Sequence, residues 1–330
     1  MKSTSLKPTR RGFTIVELFV VIGIIGLLLA LLLPATRGSR EGVRRIQCQN
    51  QLRQIGLGVH NYHDIFNSLP SCSSGNRRSG LIALLPMIEQ AELYETIMAP
   101  LTIDGQTYPA MGPDPWVETY EPWATQLHEL VCPSDPADYS RPWGATSYVF
   151  CIGDTTNIYH QQEHHRGPFS PGQWTHLHDV KDGTSNTVML GEILIDSQVI
   201  AQTSAELANA QLCFDTKMES ASLDIAARKR GYSWADGAAG PAMFNTILPP
   251  NRPSCGLSGT EAVDGIYSLG SYHPGGAQVV MADGAVRFIA EDIDTGNLSQ
   301  SSRPASSSDS SPYGVWGSLG SIAGQESLEY

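Results

Sequence analysis

Two hydrophobic patterns follow one another along this chain. The first is a continuous apolar run from Phe13 to Leu33, in which 16 of 21 residues are Leu, Ile, Val or Phe and the only charge is Glu17. As a helix it spans about 31 Å, enough to cross a hydrocarbon core. The second begins beyond Pro34. Cys48, Leu52, Ile55, Val59, Tyr62 and Phe66 recur at spacings of three and four, one apolar stripe on a helix. Arg44, Gln47, Gln51, Arg53 and Gln54 occupy the other face. Together the two patterns predict a helix from about Thr14 to Phe66, roughly 80 Å long. Gly56 and Gly58 weaken it by about 1 kcal/mol each.

Beyond Phe66 the predicted elements are shorter. Asn67 to Gly80 reads as a loop and Pro86 to Met98 as a short helix. Leu130 to Pro136 is a brief buried run with a turn. Ser147 to Ile152 and Thr187 to Leu190 read as strands, the latter after an Asp182-Gly183 turn. Ser271 to Phe288 reads as strand, Pro-Gly-Gly turn, strand, Asp-Gly turn, strand. Asp283 and Gly284 form the pair that a type I′ hairpin wants, both at positive φ. Ser299 to Ser311 is a Ser-rich segment expected to be a mobile loop, and Tyr313 to Gly320 returns to packable sequence. The expected class is α+β: a long N-terminal helix with an antiparallel, loop-rich β head. The divisions are a leader over 1–12, a helix over 13–66 with a transmembrane part at 13–33, and a head over 67–330.

Energetics favour insertion of the first run. Sixteen large apolar residues at about −0.5 kcal/mol each give roughly −8 kcal/mol, against about +3 for one central carboxylate. A secretory signal has a shorter core of about 7–15 residues and a small-residue cut after it. Here the distinctive small residue, Gly12, precedes the core, and Lys2, Lys7, Arg10 and Arg11 precede Gly12. Arg37, Arg40, Arg44 and Arg45 follow the run, so loop charge leaves orientation undecided. An ordinary membrane anchor is the plainer reading of the run.

The stretch Arg10-Arg11-Gly12-Phe13-Thr14-Ile15-Val16-Glu17-Leu18 resembles the processing site of type IV prepilins and of the pseudopilins of type II secretion. The resemblance implies that a prepilin peptidase cuts after Gly12 and that Phe13 becomes the N-methylated N-terminus. It implies that Glu17 meets the Phe13 amine of a neighbouring subunit, and that Pro34 stands where such helices bend. It also implies a single-pass protein of the cytoplasmic (inner) membrane, leader inside and head outside, displayed at the cell surface where filaments form. Further boxes resemble a subset of large exported prepilin-like proteins. They are Gln47 to Leu52, His60 to Asp64, Cys132-Pro133-Ser134-Asp135, Asp182 to Asn186, Gly191-Glu192, and His273 nine residues before Asp283-Gly284, an H-x9-DG pattern. These imply architecture and processing far more than an activity.

Charge and cysteines narrow the picture. The net charge of −12 becomes −16 once the four leader cations are removed, which argues against nucleic-acid binding. The six cysteines form no C-x-x-C pair, which leaves neither a zinc knuckle nor a thioredoxin-type site. In an exported domain they read as disulfides. Cys213 with Cys255, flanking Trp234, and Cys132 with Cys151, flanking a turn-rich stretch, are the expected pairs.

The candidate chemistry is thin. His273 and Asp283 read either as an acid/base pair or as turn-fixing residues, and the second is preferred because no nucleophile motif accompanies them. His160, His164, His165, His176 and His178 offer a transition metal a foothold, and Asp292, Asp294 and Asn297 offer one to calcium; neither pattern fixes a cofactor. There is no G-x-S-x-G, P-loop or Rossmann glycine pattern. The chain is therefore read as a structural pilin- or pseudopilin-like subunit rather than an enzyme. Its expected partners are the peptidase, other subunits and the membrane. A membrane-tethered or filament-displayed ligand-binding protein is the first alternative and a metal-dependent enzyme the second.

Overall fold

The computed structural model describes residues 13–136, 141–156, 166–216, 229–257 and 264–324, with the side chains of 31–39 excepted. The chain divides into two units, Met1–Arg44 and Arg45–Tyr330. Helix α1, Ile15–Phe66, belongs in part to each.

In the first unit the start of α1 is fixed by a reciprocal cap. The Thr14 amide donates to the Glu17 carboxylate at 2.8 Å, and the Glu17 amide donates to the Thr14 hydroxyl at 3.3 Å. Thr14-Ile15-Val16-Glu17 is thus a capping box, which satisfies two amides the helix cannot pair internally. Every Leu, Ile, Val and Phe from Phe13 to Leu29 is 43–74% exposed, so no face of this part is covered. Among the described residues no helix is long and apolar enough to cross a membrane. The expected span, 13–33, lies only partly within the described side chains.

In the second unit the apolar stripe of α1 is buried at Cys48, Leu52, Ile55 and Val59, half-buried at Tyr62 and exposed at Phe66. Gly56 sits on this face because a Cβ there would stand 2.8 Å from Val280. Its cost to the helix is set against a close approach to the sheet. Helices α2, Leu81–Leu84, and α3, Ala91–Met98, follow. The single helix expected over Pro86 to Met98 is broken, because Glu89 adopts a left-handed φ of 65° after a 3-10 turn at Leu85–Ile88.

Two small hairpins, β1 Ser73–Ser74 with β2 Arg78–Ser79 and β3 Leu101–Ile103 with β4 Gln106–Tyr108, precede the main sheets. The remaining strands are β5 Tyr148–Cys151, β6 Val188–Glu192, β7 Val199–Gln202, β8 Met243–Phe244, β9 Ser254–Leu257, β10 Gly265–Ile266, β11 Gly276–Met281 and β12 Val286–Ala290. One sheet has the order β12-β11-β6-β5-β8 and another β10-β9-β7. The head is not wholly antiparallel, which corrects the expectation: β5 pairs parallel with β8, and β7 with β9. In both cases the intervening chain is long enough for the crossover that parallel pairing requires. β5, β6 and β11 are buried along their whole length, as central strands covered on both faces are.

Around the second sheet lie α4, Ser204–Leu207, and α5, Ala210–Phe214. They form a smaller core of Ile200, Leu207, Ile247, Leu248 and Ile266 about the Cys213–Cys255 disulfide. Helices α6, Ala239–Ala242, and α7, Gly314–Gly320, complete the unit. The Ser-rich segment is tied down rather than loose. The buried Arg166 donates to the carbonyls of Ser307 and Asp309 at 2.7 and 2.9 Å while pairing with buried Asp154.

Candidate functional site

Four side chains from four separate stretches converge in the second unit. Cys48 comes from the buried face of α1, and Cys132 from the turn after Leu130. Glu192 ends β6, and His273 precedes β11. Their ligand atoms all lie within 4.8 Å of one another, and all four residues are buried. His273 Nε2 is 3.5 Å from Cys132 Sγ and 3.5 Å from Glu192 Oε1.

Local sequence explains each placement. The Asp135 amide donates to the Cys132 carbonyl at 2.9 Å, closing the Cys-Pro-Ser-Asp turn, and the Asp135 carboxylate accepts from the Ile195 amide at 2.9 Å. The Ser147 hydroxyl receives the Cys132 amide at 3.0 Å. These bonds pin the turn to the chain beside β5 and just beyond β6. The antiparallel register places Glu192 beside the start of β11, where its Oε2 accepts from the Gln278 amide at 2.9 Å. The Ser271 hydroxyl donates to the Gly276 carbonyl at 2.7 Å and accepts from the His273 amide at 3.1 Å, which holds the loop that carries the histidine. Tyr148 donates to Gln51 Oε1 at 2.9 Å; burial pushes its phenol up, and the charge of Glu192 adds to that.

Cys48 and Cys132 are joined by a disulfide, as are Cys213 and Cys255. The expected Cys132–Cys151 pair is therefore corrected. Cys151 lies in β5, between β6 and β8, and is a buried thiol, as is Cys72. The α1 stripe delivers Cys48 to Cys132 instead. Reading Cys48 only as an apolar stripe residue hid this; the signal that could have found it was its place in the Gln47 to Leu52 box.

His273 and Asp283 do not form a pair. They stand at opposite ends of β11, a six-residue strand of about 20 Å. The His273 side chain presents its Nε2 to the cluster. Asp283 fixes a turn: its carboxylate accepts from the Ala285 amide at 2.9 Å and hydrogen-bonds with Ser185 of the Asp182 to Asn186 box. Only Gly284 has positive φ, at 82°, so the turn is not type I′, which corrects that expectation. The boxes singled out in sequence thus gather at two poles of the β6–β11 pair, one around His273 and one around Asp283.

The remaining candidates do not assemble. His160, His164 and His165 lie outside the described residues. His176 and His178 flank and enter a short 3-10 turn, Leu177–Asp179; their rings stack at 4.9 Å, and His176 bonds to the Asn67 carbonyl. The Asp294 carboxylate accepts from the amides of Gly296 and Val315, and the Asn297 side-chain oxygen accepts from the Ser299 amide, so both serve turns. Gly12 lies outside the described residues, and Phe13 is exposed.

A family described as "Protein of unknown function (DUF1559)" matches residues 37–296, well over half of the chain. The chain belongs to this family. The match contains all four residues of the cluster and both poles of the β6–β11 pair, and it begins beyond the Arg10 to Leu18 motif. No curated protein and no solved structure matches the chain.

Proposed function

We propose that this member of the DUF1559 family is a pilin- or pseudopilin-like structural subunit. A prepilin peptidase processes it after Gly12, and its N-terminal helix then assembles with those of other subunits. The observation that carries the reading is the first part of α1. Its large apolar side chains are exposed all round, and each gains about 1.5–3 kcal/mol on burial. Such a surface calls for lipid, for copies of itself, or for one after the other. The single carboxylate in this surface is Glu17. In the unprocessed chain it caps its own helix through Thr14. Cleavage after Gly12 creates a cationic amine at Phe13, which a neighbour's Glu17 neutralises in the apolar core of the assembly.

Glu17→Gln separates the two roles, because glutamine serves equally well in a capping box but carries no charge. The variant is expected to be cleaved and membrane-bound yet unable to form filaments or pulled-down oligomers, since breaking a buried ion pair costs about 3–5 kcal/mol. Thr14→Ala, which loosens the cap and keeps the charge, is expected to assemble. Wild-type assembly by Glu17→Gln, or equal failure of both variants, would contradict the intersubunit pair and favour a simple membrane-tethered binding protein.

A further inference from the structure

The cluster of Cys48, Cys132, Glu192 and His273 has the composition of a tetrahedral metal site: two sulfurs, one imidazole nitrogen and one carboxylate. Two of its spacings agree as well. With Zn–S near 2.3 Å, Zn–N near 2.0–2.1 Å and Zn–O near 2.0–2.2 Å, the edges of a tetrahedral shell measure about 3.4–3.8 Å. His273 Nε2 already stands 3.5 Å from both Cys132 Sγ and Glu192 Oε1. Glu192 Oε1 is buried with no hydrogen-bond partner, while Oε2 is held by the Gln278 amide, so one oxygen faces the cluster and the other is anchored. A disulfide alone requires neither the acid nor the imidazole beside it. Among the described residues, Cys213–Cys255 lies in an apolar cluster with Ile200, Leu207, Ile247 and Ile266.

We propose that the reduced protein binds one divalent transition metal, zinc by preference, through Cys48, Cys132, His273 and Glu192, and that disulfide and metal are alternative states of this one site. Two thiolates in a tetrahedral shell stand about 3.8 Å apart, further than two bonded sulfurs, so the states exclude each other. The conversion balances. A phosphine reductant supplies two electrons to the S–S bond and leaves as its oxide with the oxygen of water; the two protons of that water go to the sulfurs. A dithiol does the same by exchange. Zinc then displaces both thiol protons to solvent and accepts electron pairs from the two thiolates, the neutral imidazole Nε2 and one oxygen of Glu192. A groove of about 510 Å³ is lined by Gln47, Val131 and Pro133, the chain neighbours of Cys48 and Cys132. Either state fastens α1 to the head at the same point, so the fold keeps its clasp in reducing and oxidising surroundings.

The test uses the full chain in detergent, oxidised or reduced by a phosphine, titrated with cobalt and then with zinc. The reduced protein is expected to bind one cobalt per chain with a thiolate-to-cobalt charge-transfer band and the intense visible bands of a tetrahedral centre, and zinc is expected to displace it. The oxidised protein is expected to bind none. Cys213→Ser with Cys255→Ser should leave the signal intact, and Cys48→Ser with Cys132→Ser should abolish it. His273→Gln and Glu192→Gln should each weaken zinc binding by more than the roughly 10–100-fold that losing an outer partner of a ligand costs. Should reduction loosen the fold, zinc is expected to raise the Tm of the reduced wild type and not of the His273 variant. Absence of stoichiometric cobalt, a spectrum without thiolate character, or equal binding by the oxidised chain or by the His273 variant overturns the proposal.

Discussion

His273 and Cys132 are 141 positions apart in the chain, yet the imidazole Nε2 stands 3.5 Å from the cysteine sulfur. The β6–β11 pairing and the Cys-Pro-Ser-Asp turn bring them together, and α1 supplies Cys48. The Cys48–Cys132 bond therefore closes a separation of 84 residues and clamps the helix onto the head. In the chain-entropy description such a loop is worth about 4–5 kcal/mol. Cys48→Ser with Cys132→Ser is expected to lower the unfolding free energy by about that amount, read from urea denaturation under oxidising conditions. A loss below about 1 kcal/mol would show that the disulfide is not formed or not needed.

Cys72 and Cys151 are expected to be inert. Burial pushes the Cys151 thiol up to about 12 and raises Cys72 further, so neither supplies thiolate at neutral pH. Without reductant, the native chain is expected to take up no alkylating reagent and the denatured chain two equivalents, at these two positions. Label on Cys48, Cys132, Cys213 or Cys255 in the denatured, unreduced chain would contradict the disulfide pattern.

The Arg166–Asp154 pair is buried on both sides, and the same guanidinium holds the carbonyls of Ser307 and Asp309. Arg166→Met leaves a buried carboxylate without its counter-ion, and about 3–5 kcal/mol of stability is expected to go with it. Limited proteolysis should then cut within Ser299 to Ser311, which the wild type should resist. An unchanged cleavage pattern would show that the segment is held by other contacts.

Partial burial raises the Asp283 carboxyl, but the hydrogen bonds from Ser185 and the Ala285 amide, with the nearby charge of Arg287, outweigh it and hold the group below its ordinary value of 3.8. A carboxyl depressed in the folded state adds stability above its unfolded pKa and loses it as pH falls through the folded value. Asp283→Asn is therefore expected to be less stable than wild type at neutral pH, with the gap closing below pH 3.8. The group is exposed, so the effect is small; urea midpoints across pH measure it. A gap that stays constant with pH would mean that the carboxylate charge is not what the turn uses.

Much of the helix was legible in sequence, because a three-four stripe states which face is buried. Cys48, Leu52, Ile55 and Val59 are buried as the stripe predicts, while Phe66, at its end, is exposed. The cap at Thr14 and Glu17 was also written in the sequence, but the carboxylate drew attention as a partner for a neighbour and not for its own helix. The strands at Tyr148 and Val188 were visible from their apolar runs. Their partners were not, because periodicity does not encode which distant strand lies alongside: the parallel β5–β8 pair and the meeting of Cys48 with Cys132 depend on tertiary register. The same limit hid the cluster. Cys132, Glu192 and His273 each stood out within a local box, and only the β6–β11 register shows that the boxes share a site.

The most direct test of the structural-subunit reading is the mass of the mature N-terminal peptide, recovered from the native membrane. The account predicts a chain that begins at Phe13, its amine methylated and the twelve preceding residues gone. An intact Met1, or a cut after Ala35, would contradict it.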